Sequence, residues 1–252
     1  MPRSKLDKAG SPKTPSSAVA ADDAGIRRTE FIDRIAHDLK TPFFGTKEIL
    51  QLILNGGCGK IQPELEPLLL LLKQTNEDLL AMTQRLVEIY RYEAGPVALR
   101  LSKVDLIPIL SQVIAELQPM SKATEITLSC STAKSTCTLL IDHQAIEQML
   151  SYLLVNCIKH TAAGGQLEIR LEQQADTTVL TLTATGLGIN RMDLESLFLR
   201  TRRHSASQSY SPLAGLELHL CRQIIHAHGG TVRTEEKEKG TVAILLEFPA
   251  RS

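Results

Sequence analysis

The chain has no tryptophan, and all aromatic residues together make up only 4% of its 252 residues. That scarcity excludes an aromatic platform on which the bases of single-stranded nucleic acid could stack. Neither charge is in excess, because 28 Lys and Arg balance 28 Asp and Glu. No global field therefore draws the protein toward nucleic acid or an acidic surface. No apolar run is long enough to span a bilayer; the longest lies around Leu68–Leu72. The lysines near the N-terminus are not followed by an apolar core, so they do not form a secretory signal. The five cysteines (Cys58, Cys130, Cys137, Cys157 and Cys221) include no CxxC pair. An odd, scattered set points to reduced thiols in the cytoplasm rather than to a disulfide framework or a zinc site. One or two domains are expected from the length.

What the sequence does contain changes character along its length. Residues 1–24 are rich in Ser, Pro, Ala and Lys and read as a disordered tail. Residues 25–96 carry two helical patterns. In the first, Ile32, Ile35, Leu39, Phe43, Thr46, Leu50 and Ile53 recur in steps of three and four, the mark of a buried seam. Asn55-Gly56-Gly57-Cys58-Gly59 interrupts it. In the second, Leu65, Leu68, Leu72, Thr75, Leu79, Met82, Leu86 and Ile89 form a heptad seam ending near Gly95. Such a hairpin cannot bury both its faces alone, and a homodimer forming a four-helix bundle is expected.

Residues 101–252 read differently. Asp105 can cap a helix to about Gln118, and Asp142 another to about Thr161. Strands are predicted at Ile126–Cys130, Thr136–Ile141, Leu167–Glu172, Thr178–Thr185, Thr231–Glu235 and Val242–Phe248. A last helix is expected from Gly215 to His228, closed by Gly229-Gly230. This mixture lacks regular βαβ alternation and predicts an α+β sandwich, a sheet covered by helices on one face.

The stretch from Phe31 to Pro42 contains the sharpest chemistry. His37 lies two residues from both Ile35 and Leu39, about 200° around a helix from each, so it faces water. An exposed imidazole beside a carboxylate, here Asp38, can act as a nucleophile. Thr41 falls one turn further on the same face and could position a water, and Pro42 should kink the helix. The string His37-Asp38-Leu39-Lys40-Thr41-Pro42 resembles the H-box of two-component sensor histidine kinases, with Phe31 at the family's spacing. The resemblance implies that His37 takes phosphate from ATP and passes it to an aspartate of a response regulator. It implies a phosphatase role for Asp38 and Thr41 toward that partner.

The second half resembles the ATP-binding domain of the same family, of the GHKL or Bergerat type. Leu153–Thr161 looks like the N-box, which implies that Asn156 holds Mg²⁺ and that Lys159 lies near the phosphates. Phe198 resembles the F-box, and the polar stretch Arg202–Leu213 a nucleotide lid in which Arg202, Arg203 and His204 could meet phosphate. Two boxes depart from the pattern. The G1 box keeps Gly186 and Gly188 but has Ala184 where the family has the adenine-binding aspartate. The G2 box reads Leu213-Ala214-Gly215-Leu216-Glu217-Leu218, in which Gly215 and Leu216 survive and Glu217 replaces a glycine. Glycines at such a helix start let phosphate approach backbone N–H groups. Glu217 facing the nucleotide would repel it. The expectation is a cytoplasmic histidine kinase that binds ATP and Mg²⁺, with weak binding. The alternative is a degenerate kinase serving as phosphotransferase, phosphatase or scaffold. No sensor segment is recognisable before the hairpin, so a sensory partner protein is expected unless the chain is a fragment.

Overall fold

The computed structural model describes residues 17–95, 97–174, 176–185, 198, 212–237 and 241–249; among these, the side chains of 17–33, 36 and 212–214 are outside the description. Two long helices open the chain, α1 (Ser17–Leu54) and α2 (Glu66–Glu93). Helix α1 starts inside the segment expected to be a tail. Alanines 18, 20, 21 and 24 favour helix without any apolar seam, which is why periodicity did not reveal it. Residues 1–16 lie outside the described set. Pro42 sits within α1 and cannot donate to the carbonyl of Asp38. Gly56 and Gly59, both at positive φ, turn the chain back.

The two helices meet along a different line from the heptad seam. Leu50 and Leu80 are buried between them, and Asn76 Nδ2 donates to the carbonyl oxygen of Phe43 at 2.9 Å. Leu65, Leu68, Leu72 and Leu79 stay exposed, as do Ile35 and Leu39 on α1. The expected seam is thus not buried within one hairpin. The apolar stripe is wider than one neighbouring helix can cover, and α1 covers only its flank.

The second half comprises β1 (Ser102–Asp105), α3 (Leu106–Ala123), β2 (Thr127–Thr132), β3 (Thr138–Ile141), α4 (His143–His160), β4 (Gln166–Gln173), β5 (Thr177–Thr185), α5 (Pro212–Ala227), β6 (Thr231–Glu236) and β7 (Thr241–Pro249). Five strands form one sheet in the order β2-β4-β5-β7-β6, antiparallel except for β2 with β4. Strands β1 and β3 form a separate antiparallel ribbon, and β1 was not foreseen. Its Ser-Lys-Val-Asp carries a single apolar residue, too little for a period-two signal.

Both expected aspartate caps are present. Asp105 accepts from Ile107 N at 3.1 Å and from Cys137 N at 2.9 Å. Asp142 accepts from Ala145 N and also from Arg100 N, tying the inter-helix link to α4. Leu180, Leu182 and Ala184 alternate inward along β5 and join Val113, Leu150, Leu153 and Leu220 in one core. A Cβ on Gly230 would strike the backbone carbonyl of Glu247, so glycine lets the end of α5 pass close to β7. Ile89, fully buried, and Tyr92 carry the last turns of α2 into the same core. The hairpin is therefore anchored to the sheet half by its own second helix, against α5.

Candidate functional site

His37 stands at the surface of α1, with its side chain 82% exposed. Its Nδ1 faces Asp38 Oδ1 at 3.3 Å. A carboxylate can only accept, so this contact places the ring proton on Nδ1 and leaves the Nε2 lone pair toward solvent. Thr41 Oγ1 donates to the carbonyl of His37 at 3.0 Å. Its hydroxyl proton is thus committed to the helix, and the oxygen can still accept from a water. The sequence-predicted trio is brought together on one turn.

The second cluster forms where α2 crosses α4 and α5. Asn156 is buried on α4 and donates through Nδ2 to Tyr152 O at 3.0 Å and to Glu217 Oε2 at 3.1 Å. Glu217 is buried on α5, and Arg85 of α2 places its Nε 3.7 Å from Glu217 Oε1. The Arg85 guanidinium lies 3.9 Å above the Tyr152 ring. Burial pushes the Tyr152 hydroxyl up to about 12, so the ring stays neutral. Burial likewise raises the Glu217 carboxyl, opposed by Arg85, Asn156 and Lys159. Removing one member of such a buried pair typically costs about 3–5 kcal/mol, since it strands the other.

Around this centre Glu88 accepts from Gln148 Nε2 at 3.1 Å and lies 3.6 Å from Arg85. Two residues along α5 from Glu217, His219 has Nε2 3.1 Å from Glu93 Oε1 and Nδ1 3.2 Å from the carbonyl oxygen of the buried Phe198. All three contributions from α2, Arg85, Glu88 and Glu93, escaped sequence reasoning. A buried carboxylate at Glu217 demands a cation, but among 28 Lys and Arg nothing in the sequence singles out Arg85.

Asn156 was expected to hold Mg²⁺, and its chemistry fits. Oδ1 is buried and has no hydrogen-bond partner among the described residues, an oxygen suited to a hard cation. Lys159 is exposed one turn-step along α4, and its charge reaches Glu217. A Cβ on Gly215, near the start of α5, would meet no described residue within 4 Å, and Leu216 packs partly buried against the core. Ala184 is buried on β5 between Leu167 and Val242. Gly186, Gly188, Arg202 and most of the expected lid lie outside the described residues. Glu217 is not turned to solvent as a helix-start acid would be; it is held on Asn156.

Residues 141–252 match the family described as histidine kinase-, DNA gyrase B-, and HSP90-like ATPase. The signal transduction histidine-protein kinase BaeS of Escherichia coli is 28% identical over 223 residues, covering 88% of this chain and 47% of BaeS. The chain spans about a third to a half of the length of the curated relatives it matches. Full-length ShkA in complex with AMPPNP shares the fold, with a TM-score of 0.73 at 21% identity over 88% of this chain and 46% of that one. Histidine kinase ThkA in complex with response regulator protein TrrA gives a TM-score of 0.64 at 19% identity, covering 94% of this chain and 67% of that one.

Proposed function

We propose that the chain transfers phosphate through His37, as the sensor histidine kinases to which it is similar would do. In this reading His37 Nε2 forms a bond to the γ-phosphorus of ATP. The bond from that phosphorus to the bridging oxygen breaks, and its electron pair leaves with ADP. Nδ1 keeps its proton against Asp38, which stabilises the charged ring that results. The phosphoryl group then passes to an aspartate of a response regulator, as the ThkA–TrrA complex suggests by analogy of fold. Mg²⁺, held by Asn156, would neutralise phosphate charge. The protein acts as a cytoplasmic homodimer, informed by a sensory partner. No helix among the described residues is long and apolar enough to cross a membrane.

The observation that carries this reading is the free, exposed Nε2 of a histidine whose Nδ1 is occupied by Asp38. Incubation with Mg²⁺ and γ-labelled ATP, or with a full kinase of the family, followed by peptide mapping, tests it. Acid-labile phosphate should map to His37 and vanish in His37→Gln. Label persisting in that variant would refute the assignment.

A second reading is favoured by Glu217 on Asn156: a degenerate kinase that binds ATP weakly and works as phosphotransferase, phosphatase or scaffold with His37, Asp38 and Thr41. Label arriving on His37 only from another kinase would select it.

A further inference from the structure

Glu217 belongs to the box that should admit phosphate, yet its carboxylate already has partners. One oxygen accepts from Asn156 Nδ2 at 3.1 Å, and the other faces Arg85 Nε at 3.7 Å. Arg85 belongs to the hairpin, whereas Asn156 and Glu217 belong to the ATPase half. We propose that Glu217 is a resident anion that takes the nucleotide's place on Asn156 and latches α2 through Arg85, so that nucleotide binding and this packing of α2 exclude one another. This rests on the reading of Asn156 as a nucleotide-site residue.

Three features make the contact a latch rather than a permanent rivet. It is imperfect: Asn156 Oδ1 and Arg85 Nε are buried without a hydrogen-bond partner among the described residues. A metal-bound phosphate would offer the first a cation, which the Glu217 carboxylate cannot supply. The neighbouring bridges between α2 and α4, Glu88 to Gln148 and Arg85 over Tyr152, are polar or cation–π contacts that exchange readily with water. And the carboxylate cannot share the site with phosphate, because two anions on one amide repel. Once Glu217 swings away, Arg85 loses its counter-charge, which weakens the hold on α2 that Ile89 and Tyr92 also provide.

The full chain supplies its own reporters. Cys58 in the hairpin loop and Cys130 on β2 are exposed, whereas Cys137, Cys157 and Cys221 are buried. Spin labels on Cys58 and Cys130 should give one narrow distance by pulsed dipolar spectroscopy in the native chain. Saturating Mg–ATP should broaden or shift it. Glu217→Gln, which keeps a bond to Asn156 but removes the charge, should broaden it without nucleotide and tighten Mg–ATP binding by at least about tenfold in calorimetry. Arg85→Gln breaks the same pair from the other side and should broaden the distance likewise; far-UV circular dichroism checks that each variant is folded. A distance unchanged in both folded variants would overturn the latch. Native chain that binds Mg–ATP while its narrow distance persists would overturn the exclusion and spare the nucleotide-site reading. Variants that release α2 yet never bind Mg–ATP would overturn both the exclusion and that reading.

Discussion

Replacing Leu79 by arginine should give a folded monomer, whereas the same change at Leu80 should unfold the hairpin. The two residues are adjacent in sequence and about 100° apart on α2. Leu79 is 43% exposed in a single chain and Leu80 is 8% exposed. Full burial of a leucine contributes about 1.5–3 kcal/mol, so covering the exposed part of Leu79 contributes roughly 0.6–1.3 kcal/mol per chain, and twice that in a dimer. Its loss alone should weaken association roughly ten- to a hundredfold at 1.4 kcal/mol per decade, and two facing guanidinium groups add repulsion. Leu80→Arg instead drives a charge between α1 and α2 with no described partner. Sedimentation equilibrium across the micromolar range reports association, and far-UV circular dichroism reports helix. A native chain that is monomeric at tens of micromolar, or a Leu79→Arg chain with unchanged association, would refute the reasoning.

Two further predictions concern charge. For Asp142, burial acts upward, but hydrogen bonds from Arg100 N and Ala145 N and the nearby His228 outweigh it, so its carboxyl sits below the ordinary 3.8. A carboxyl lowered on folding contributes stability above its unfolded value and loses it as pH falls through the folded one. Asp142→Asn, which keeps the cap, should flatten the loss of thermal stability below about pH 4; an unchanged acid limb would count against it. Ala184→Asp should cost on the order of several kcal/mol without nucleotide, because it buries a carboxylate beside Leu167 and Val242. Mg–ATP should return part of the lost melting temperature, since a ligand at a hundred times its Kd contributes about 2.7 kcal/mol. No recovery would mean that the adenine amino group does not reach this strand.

The elements that carry a strong local signal were legible. Asp105 and Asp142 announced the starts of α3 and α4, alternating Leu and Thr announced β5, and a paired glycine announced the end of α5. His37, Asp38 and Thr41 were legible as one helical turn because their geometry is set by a spacing of one and four. What sequence could not reveal depends on packing at a distance. The α2 seam stays exposed in one hairpin because it needs a second surface to cover it, and Leu80 and Asn76, which pack against α1, lie off that seam. Arg85, Glu88 and Glu93 sit among heptad leucines as ordinary solvent charges until α2 lies across α4 and α5. Glu217 reads in the sequence as an anion where the resembling box has glycine, but its partners, Asn156 and Arg85, are 61 and 132 residues away.

The bond from Asn76 to the carbonyl of Phe43 limits how the hairpin can move. In an apolar interface an amide finds its acceptor at one axial height only. Sliding α1 past α2 by a single residue, about 1.5 Å, would strand the donor at a cost of about 1–3 kcal/mol. Tilting about that point strands nothing. His37 lies six residues from Phe43 along α1, about 9 Å by helical rise. A 10° tilt about Asn76 would carry the imidazole about 1.6 Å, a displacement on the scale that decides whether a reacting atom is in line.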